Sequence, residues 1–130
     1  MKTHETEIRV RYQETDNMGV VYYANYLVWL EIGRTEYFRS LGLVYRELEE
    51  KGFYLMVAGV SCQYKSPARY DDMVKVRSWV SELKISSLKF EYKIFRGEQL
   101  LATGESSHVF TNNKGRPVRI PEEVRRLFHS

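Results

Sequence analysis

Between Tyr12 and Gly42 the chain reads YQETDNMGVVYYANYLVWLEIGRTEYFRSLG, and the helix in the second half of this stretch carries almost no polar side chain over its first turns. A surface helix shows an apolar stripe, so a helix that is apolar on nearly every side has to be wrapped by something. The remainder of the chain must therefore supply a surface that curves around it. The helix is expected to begin near Tyr23 to Tyr26 with Asn25 as its N-cap, and to end at Leu41 with Gly42 where a left-handed C-cap is favoured. Leu27, Val28, Trp29, Leu30 and Ile32 point in all directions, whereas Glu31, Arg34, Glu36 and Arg39 mark a polar edge of Glu-to-Arg pairs three apart. The N-terminal half is the expected buried half. Gly33 costs about 1 kcal/mol relative to Ala inside a helix, and is read as room for another backbone to approach.

The wrapping is legible as strands. From Thr6 to Tyr12, β-favouring residues (Thr6, Ile8, Val10, Tyr12) alternate with charged ones, the period of a half-buried strand. After a short helical connector at Tyr45 to Lys51, further strands are predicted near Tyr54 to Tyr64, Met73 to Glu82, Ser87 to Phe95 and Leu100 to Thr111. In the first of these Met56, Ala58, Val60 and Cys62 are expected on one face. Gly59, beside Val60, marks a bulge or a close approach and makes both residues a candidate pocket wall. Pro67 in KSPARYDD cannot sit in a central strand, and Gly97 and Asn113-Lys114-Gly115 close turns. The ending IPEEVRRLF places Pro121 at a first helical position, acids early and arginines late, as the helix dipole prefers. One strand, a long helix and four long strands predict an α+β fold, with an antiparallel sheet of about five strands wrapped around the helix in one domain spanning 1–130.

Composition excludes several classes. Cys62 is the single cysteine, so no intramolecular disulfide forms, which fits a reducing, cytoplasmic setting. His4, His108 and His129 lie too far apart for zinc-type ligand spacing, so no metal and no redox cofactor is expected. The net charge of +3 comes from 20 basic and 17 acidic residues interleaved along the chain, which argues against nucleic acid as a partner. No stretch approaches the roughly 18 apolar residues of a membrane span.

Asp16 is the foremost candidate for chemistry. It lies at a strand end just before a helix N-terminus, where unpaired N–H groups and a partial positive charge can polarise a carbonyl. A carboxylate facing such a carbonyl can attack it or activate water against it. The competing reading is that Asp16 only makes an Asx-turn. Glu31 is the second carboxylate and reads first as a salt-bridge partner of Arg34 on the polar edge. Cys62 lies on an apolar strand face and reads as a small hydrophobe; His108 and His129 read as structural or solvated. Lys65 and Arg69 flank the Pro67 loop, and Lys84 and Lys89 flank Ser86-Ser87; either pair could meet phosphates.

The run YxETDxMGVVYYANYLxWLExxRTEYF resembles the active-site segment of the hotdog-fold acyl-CoA thioesterases, above all the 4-hydroxybenzoyl-CoA branch that includes the thioesterases of bacterial Tol-Pal gene clusters. The likeness continues through SPARYDD (Ser66 to Asp72), Gly104-Glu105 and GRPVRIPEE, and so covers nearly the whole chain. It implies hydrolysis of an acyl-CoA thioester to acid and coenzyme A, with Asp16 as nucleophile or general base. It also implies that the backbone around Tyr23 and Ala24 polarises the carbonyl, in a pocket formed across the interface of a homodimer or homotetramer. Many Tol-Pal relatives carry histidine where this chain has Tyr23, which puts histidine-assisted base catalysis in doubt here. The other readings on the same fold are a non-catalytic acyl-CoA or acyl-carrier-protein binding module and an enoyl-CoA hydratase, which would need a histidine near the carboxylate.

Overall fold

The computed structural model describes residues 2–129. Strand β1 (Thr3–Arg9) leads through a single 3-10 turn at Tyr12–Glu14 to helix α1 (Ala24–Ser40), and a shorter helix α2 (Tyr45–Glu50) follows. Then come β2 (Tyr54–Tyr64), β3 (Met73–Leu83), β4 (Ser87–Arg96), β5 (Gln99–Thr111) and a closing helix α3 (Glu122–His129). All neighbouring strands are antiparallel, in the order β1-β3-β4-β5-β2. The strands on either side of α1 in sequence thus form opposite edges of one sheet, and α1 crosses the inner face between them. This is the α+β hotdog arrangement expected from the sequence.

Strand β1 begins and ends three residues earlier than the alternation predicts. Its partner explains this: β3 begins at Met73, opposite Arg9, and Val10 already bonds to the loop at Asp71 and Asp72 (3.0 and 2.9 Å). No strand remains for Tyr12, which is exposed and meets the Tyr70 ring edge-on at 5.6 Å. At the other end of α1 the expectation holds, with Gly42 at φ +85° and its N–H on the Arg39 carbonyl at 3.0 Å. Asn25 is not the N-cap. It lies inside the first turn, and its amide reaches back to donate to the Glu14 carbonyl at 2.9 Å.

Gly33 sets how closely α1 sits on the sheet. A Cβ there would fall 2.7 Å from both Ser78 Oγ and Val76 Cγ1 of β3, and one on Gly104 of β5 would meet Leu30 Cδ1 at 2.9 Å. This seating buries Trp29, Leu30, Tyr37 and Phe38 against the strands, and Phe90 of β4 lies edge-on to Tyr37 and Phe38 at 5.2 and 5.5 Å. Phe128 of α3 closes that cluster, 5.9 Å from Phe38. The N-terminal half of α1 is, however, wrapped on one side only: Leu27, Val28 and Ile32 remain 37%, 44% and 36% exposed. The sheet covers the face that Gly33 brings close and leaves the opposite one open.

A bulge between Val57 and Gly59 splits the face expected for β2. Residues directly opposite one another share a face; Val57 opposes His108 and Val60 opposes Ser106, both buried, so Val57, Val60 and Cys62 face α1 while Met56 faces outward. Beneath them runs a buried polar chain: Arg34 Nη1 donates to the Tyr92 hydroxyl (3.2 Å), which meets Ser106 Oγ (2.6 Å), which meets His108 Nε2 (2.6 Å). His108 Nδ1 has no partner among the described residues. Burial, then the Arg34 charge, pushes the His108 pKa down to about 3.

Two outcomes follow. The unfolded chain takes up a proton on His108 near its ordinary pKa of 6.5, the fold only near 3, so this contribution to stability is complete above about 6.5 and is lost as pH falls toward 3. The resistance of wild type to urea should weaken from pH 6.5 to 4.5, and His108→Gln should flatten that slope; a slope unchanged in the variant would contradict the assignment. Gly33→Ala gains about 1 kcal/mol of helix propensity but overpacks a buried contact, at a cost of about 1–3 kcal/mol. A net loss of stability is expected in the same assay, whereas Gly59→Ala, where a Cβ would meet nothing within 4 Å, should change it little.

Candidate active site

Two acidic side chains fold the stretch before α1. Glu14 is buried: its Oε1 accepts from the Arg11 N–H at 2.8 Å and its Oε2 from Trp29 Nε1 at 2.9 Å. The Glu14 carbonyl receives the Tyr22 N–H and the Asn25 amide, both at 2.9 Å, so this one residue ties the loop to the first turns of α1. Sequence reasoning passed over Glu14. Its partner Trp29 lies fifteen positions away, beyond any local period, and only the Arg11-to-Glu14 spacing of a capping box gave a signal.

Asp16 begins a tight hairpin in which its N–H donates to the Val20 carbonyl at 2.8 Å, Thr15 bridges Val21, and Gly19 takes φ +81°. Its Oδ1 accepts from Met18 N–H at 2.8 Å and Val20 N–H at 3.4 Å. The Asx-turn role is thus present, and it uses one oxygen. Oδ2 accepts no hydrogen bond among the described residues, and the side chain is half-buried.

The Ser66 to Asp72 loop supports the hairpin from the other side. Val20 bridges Arg69, Val21 N–H donates to Ala68 O at 2.8 Å, and Ala68 N–H donates to the Tyr26 hydroxyl at 2.9 Å. The loop is itself pinned by Asp72, whose Oδ2 takes Arg96 Nη1 at 2.7 Å and the Arg69 N–H at 2.9 Å. Burial works to raise the Asp72 pKa, but these donors and the nearby guanidinium charge outweigh it and hold the carboxyl below its usual range.

At the start of α1 the Asn25 and Tyr26 N–H groups bond to Tyr22 and Tyr23 carbonyls at 3.0 and 3.1 Å. Those of Tyr23 and Ala24 find no acceptor among the described residues, and Tyr23 is exposed. A cavity of about 260 Å³ opens beside them, lined by Val21, Tyr23, Tyr26, Tyr64, Lys65 and Ser66. The Tyr64 hydroxyl donates to the Tyr23 carbonyl at 3.2 Å, which joins the end of β2 to the start of α1.

Between α1 and β2 lies an uncovered groove, with Leu27 37% exposed on one wall and Val60 48% exposed on the other. Tyr23, Leu27 and Glu31 recur at helical spacing on its α1 side, and Tyr64, Cys62, Val60 and Val57 face it from β2. A separate cavity of about 330 Å³ lies farther along the same two walls, lined by Glu31, Arg34, Thr35, Phe38, Tyr45, Leu55 and Val57. Val60 therefore lies on the groove, while Gly59, opposite Ser107, occupies an outward position in the bulge.

The remaining candidates separate. Glu31 is exposed and forms no ion pair with Arg34, whose guanidinium is drawn inward to Tyr92; the Glu-to-Arg pair that does form on α1 is Glu36 with Arg39, at 3.3 Å. Burial pushes the Cys62 thiol up, away from nucleophilic use, and His108 is sealed in the core. Lys65 lines the first cavity with Arg69 beside the hairpin, whereas Lys89 is paired with Glu105 at 3.1 Å on the outer sheet face. Among the described residues no three His, Cys, Asp or Glu side chains gather to hold a metal ion, and no helix is long and apolar enough to cross a membrane.

Comparison with known proteins agrees with this architecture. Residues 10–128 match the family described as the Thioesterase-like superfamily. YneP of Bacillus subtilis strain 168 is 38% identical over 110 residues, covering 84% of this chain and 80% of its own. The acyl-CoA thioesterase YbgC of Haemophilus influenzae is 36% identical over 124 residues, covering 94% and 91%. The crystal structure of a DHNA-CoA thioesterase from Staphylococcus aureus superposes with a TM-score of 0.93 at 30% identity, over 99% of this chain and 90% of that one. The matched span takes in the Asp16 hairpin, α1 and every strand but β1, and on this evidence the chain belongs to the thioesterase-like superfamily.

Proposed function

We propose that the protein hydrolyses acyl-CoA thioesters to the free acid and coenzyme A at the junction of the Asp16 hairpin and α1. The observation that carries this reading is the pairing of an unused carboxylate oxygen, Asp16 Oδ2, with a helix start whose Tyr23 and Ala24 N–H groups have no acceptor among the described residues. A thioester carbonyl accepts from those N–H groups, which stabilise the negative charge that develops on its oxygen. Asp16 then attacks the carbonyl carbon or takes a proton from the water that does. The departing thiol has a pKa of about 8.5, so the thiolate leaves without a strong acid, and the tyrosine at position 23 need not act as histidine would.

The acyl chain lies along the α1–β2 groove against Val60. The basic pair Lys65 and Arg69 serves the coenzyme A end, where an acyl carrier protein could present the same thioester, and Gly59, facing outward, takes no part. Strand β2 is a sheet edge with exposed apolar residues, Met56 at 52% and Val57 at 56%, and faces the exposed stripe of α1 across the groove. A second copy of the chain covers both, giving a homodimer or a pair of them. The single cysteine, Cys62, is a free thiol and suits a cytoplasmic setting. The binding-module reading is not favoured, since the relatives are named for hydrolysis.

Thiol release from an acyl-CoA panel tests the chemistry. Asp16→Asn keeps an Oδ1 for the Asx-turn, so kcat should fall at least about a hundredfold (~2.7 kcal/mol) with the melting curve unchanged. Glu31→Gln should retain activity; survival of the first variant and death of the second would reverse the assignment. A charge in the edge strand, Val57→Lys, should move the sedimentation profile to a smaller species.

A further inference from the structure

The far end of the α1–β2 groove is not apolar. Arg34 enters the second cavity among Phe38, Leu55 and Val57, half-buried, and of the five N–H groups of a guanidinium one donates to the Tyr92 hydroxyl at 3.2 Å. No carboxylate pairs with it among the described residues; Glu31, on the same cavity, is exposed. The guanidinium is also held in place, because Tyr92 is fixed by Ser106 and Ser106 by His108, all three buried. A positioned cation with unused donors beside an apolar wall is costly unless an acceptor meets it, and a rigid fork is suited to oxygen. Its distance from the reacting end is set by the helix: from Ala24 to Arg34 is ten residues, about 15 Å at 1.5 Å each, the reach of roughly a dozen extended chain atoms.

We propose that the cavity at the α1–α2–β2 corner is a subsite for the far end of the acyl chain, and that Arg34 selects chains of about a dozen atoms ending in a hydrogen-bond-accepting oxygen, either a hydroxyl or a carboxylate. This rests on the reading of Tyr23 and Ala24 as the thioester end. A plain hydrocarbon end would leave the Arg34 donors desolvated and unpaired, whereas a terminal oxygen satisfies them. Chains too short to reach gain nothing from the same group.

The test compares dodecanoyl-CoA, 12-hydroxydodecanoyl-CoA and the mono-CoA thioester of dodecanedioic acid, with hexanoyl-CoA and 6-hydroxyhexanoyl-CoA as the short pair. In wild type, kcat/KM should favour an oxygen-ended twelve-carbon chain about tenfold over dodecanoyl-CoA, through KM, with no difference within the short pair. Whether hydroxyl or carboxylate gains more tells which oxygen the site takes, Glu31 disfavouring the second. Arg34→Gln should bring the twelve-carbon ratio to about one. Equal rates across the twelve-carbon set in wild type, or a preference that persists in Arg34→Gln, would overturn the subsite without touching the hydrolase reading. Calorimetric binding of the same ligands to the Asp16→Asn protein separates the two: if no acyl-CoA is hydrolysed by wild type, a tenfold affinity difference that follows the terminal oxygen still supports the subsite, and its absence removes it.

Discussion

The contact on which the molecule depends is the close approach of α1 to the sheet at Gly33. With no Cβ at that position, Val76 and Ser78 of β3 come against the helix backbone, and Leu30 drops over Gly104 of β5. The helix is thereby fixed at two points across the sheet, with Tyr92 of β4 between them reaching up to Arg34. Everything that requires burial hangs from this seating, including Trp29, Tyr37 and Phe38 and the cluster with Phe90 and Phe128. So does the opening: a helix held over β3, β4 and β5 leaves its far stripe separated from the edge strand β2, and that separation is the groove.

The hairpin that carries Asp16 is held by a different kind of interaction. Burying a carboxylate is costly, and Glu14 offsets that cost by filling both oxygens with donors, one from the loop itself and one from Trp29 in the heart of α1. Its backbone carbonyl adds two more bonds to the helix start. The position of Asp16 relative to the free N–H groups of Tyr23 and Ala24 is therefore set by a buried polar anchor, with a second support from the Ala68–Tyr26 contact. Asp16 itself divides its carboxylate between turn geometry and open space, so the turn reading and the catalytic reading of this residue are compatible.

Periodicity made most of the fold legible before any coordinates. The α1 termination at Gly42, the extents of β2 to β5 and the Gly59 bulge all follow from local pattern and turn chemistry. What failed was non-local. Tyr12 alternates like a strand residue, yet the length of β3 leaves it no partner; Met56 and Val60 read as one face until the bulge separates them. The apolar sleeve of α1 implies a full wrapping, since sequence pattern says that a surface is covered without saying by which chain. Glu14 and the Arg34–Tyr92–Ser106–His108 chain were illegible for the same reason, since each joins residues that only the sheet order brings together.

The exposed edge follows from that last point. Strand β2 presents apolar residues on both faces, Met56 outward and Val57 and Val60 inward, and beyond Leu55, whose N–H and carbonyl both bond to the Tyr45 hydroxyl, no further strand among the described residues pairs with its rim, which in an isolated chain invites uncontrolled pairing. The groove has the complementary deficiency: α1 and β2 supply two walls, and among the described residues none closes the third side. A second copy paired along β2 would resolve both at once, removing the edge and drying the groove. On the proposed reading drying matters to the chemistry, because the N–H groups at Tyr23 and Ala24 would stabilise a developing charge more strongly when water does not compete. On the proposed reading, assembly and hydrolysis are therefore one requirement, and the residues that make this chain unsuited to remain single are those that line the path of its substrate.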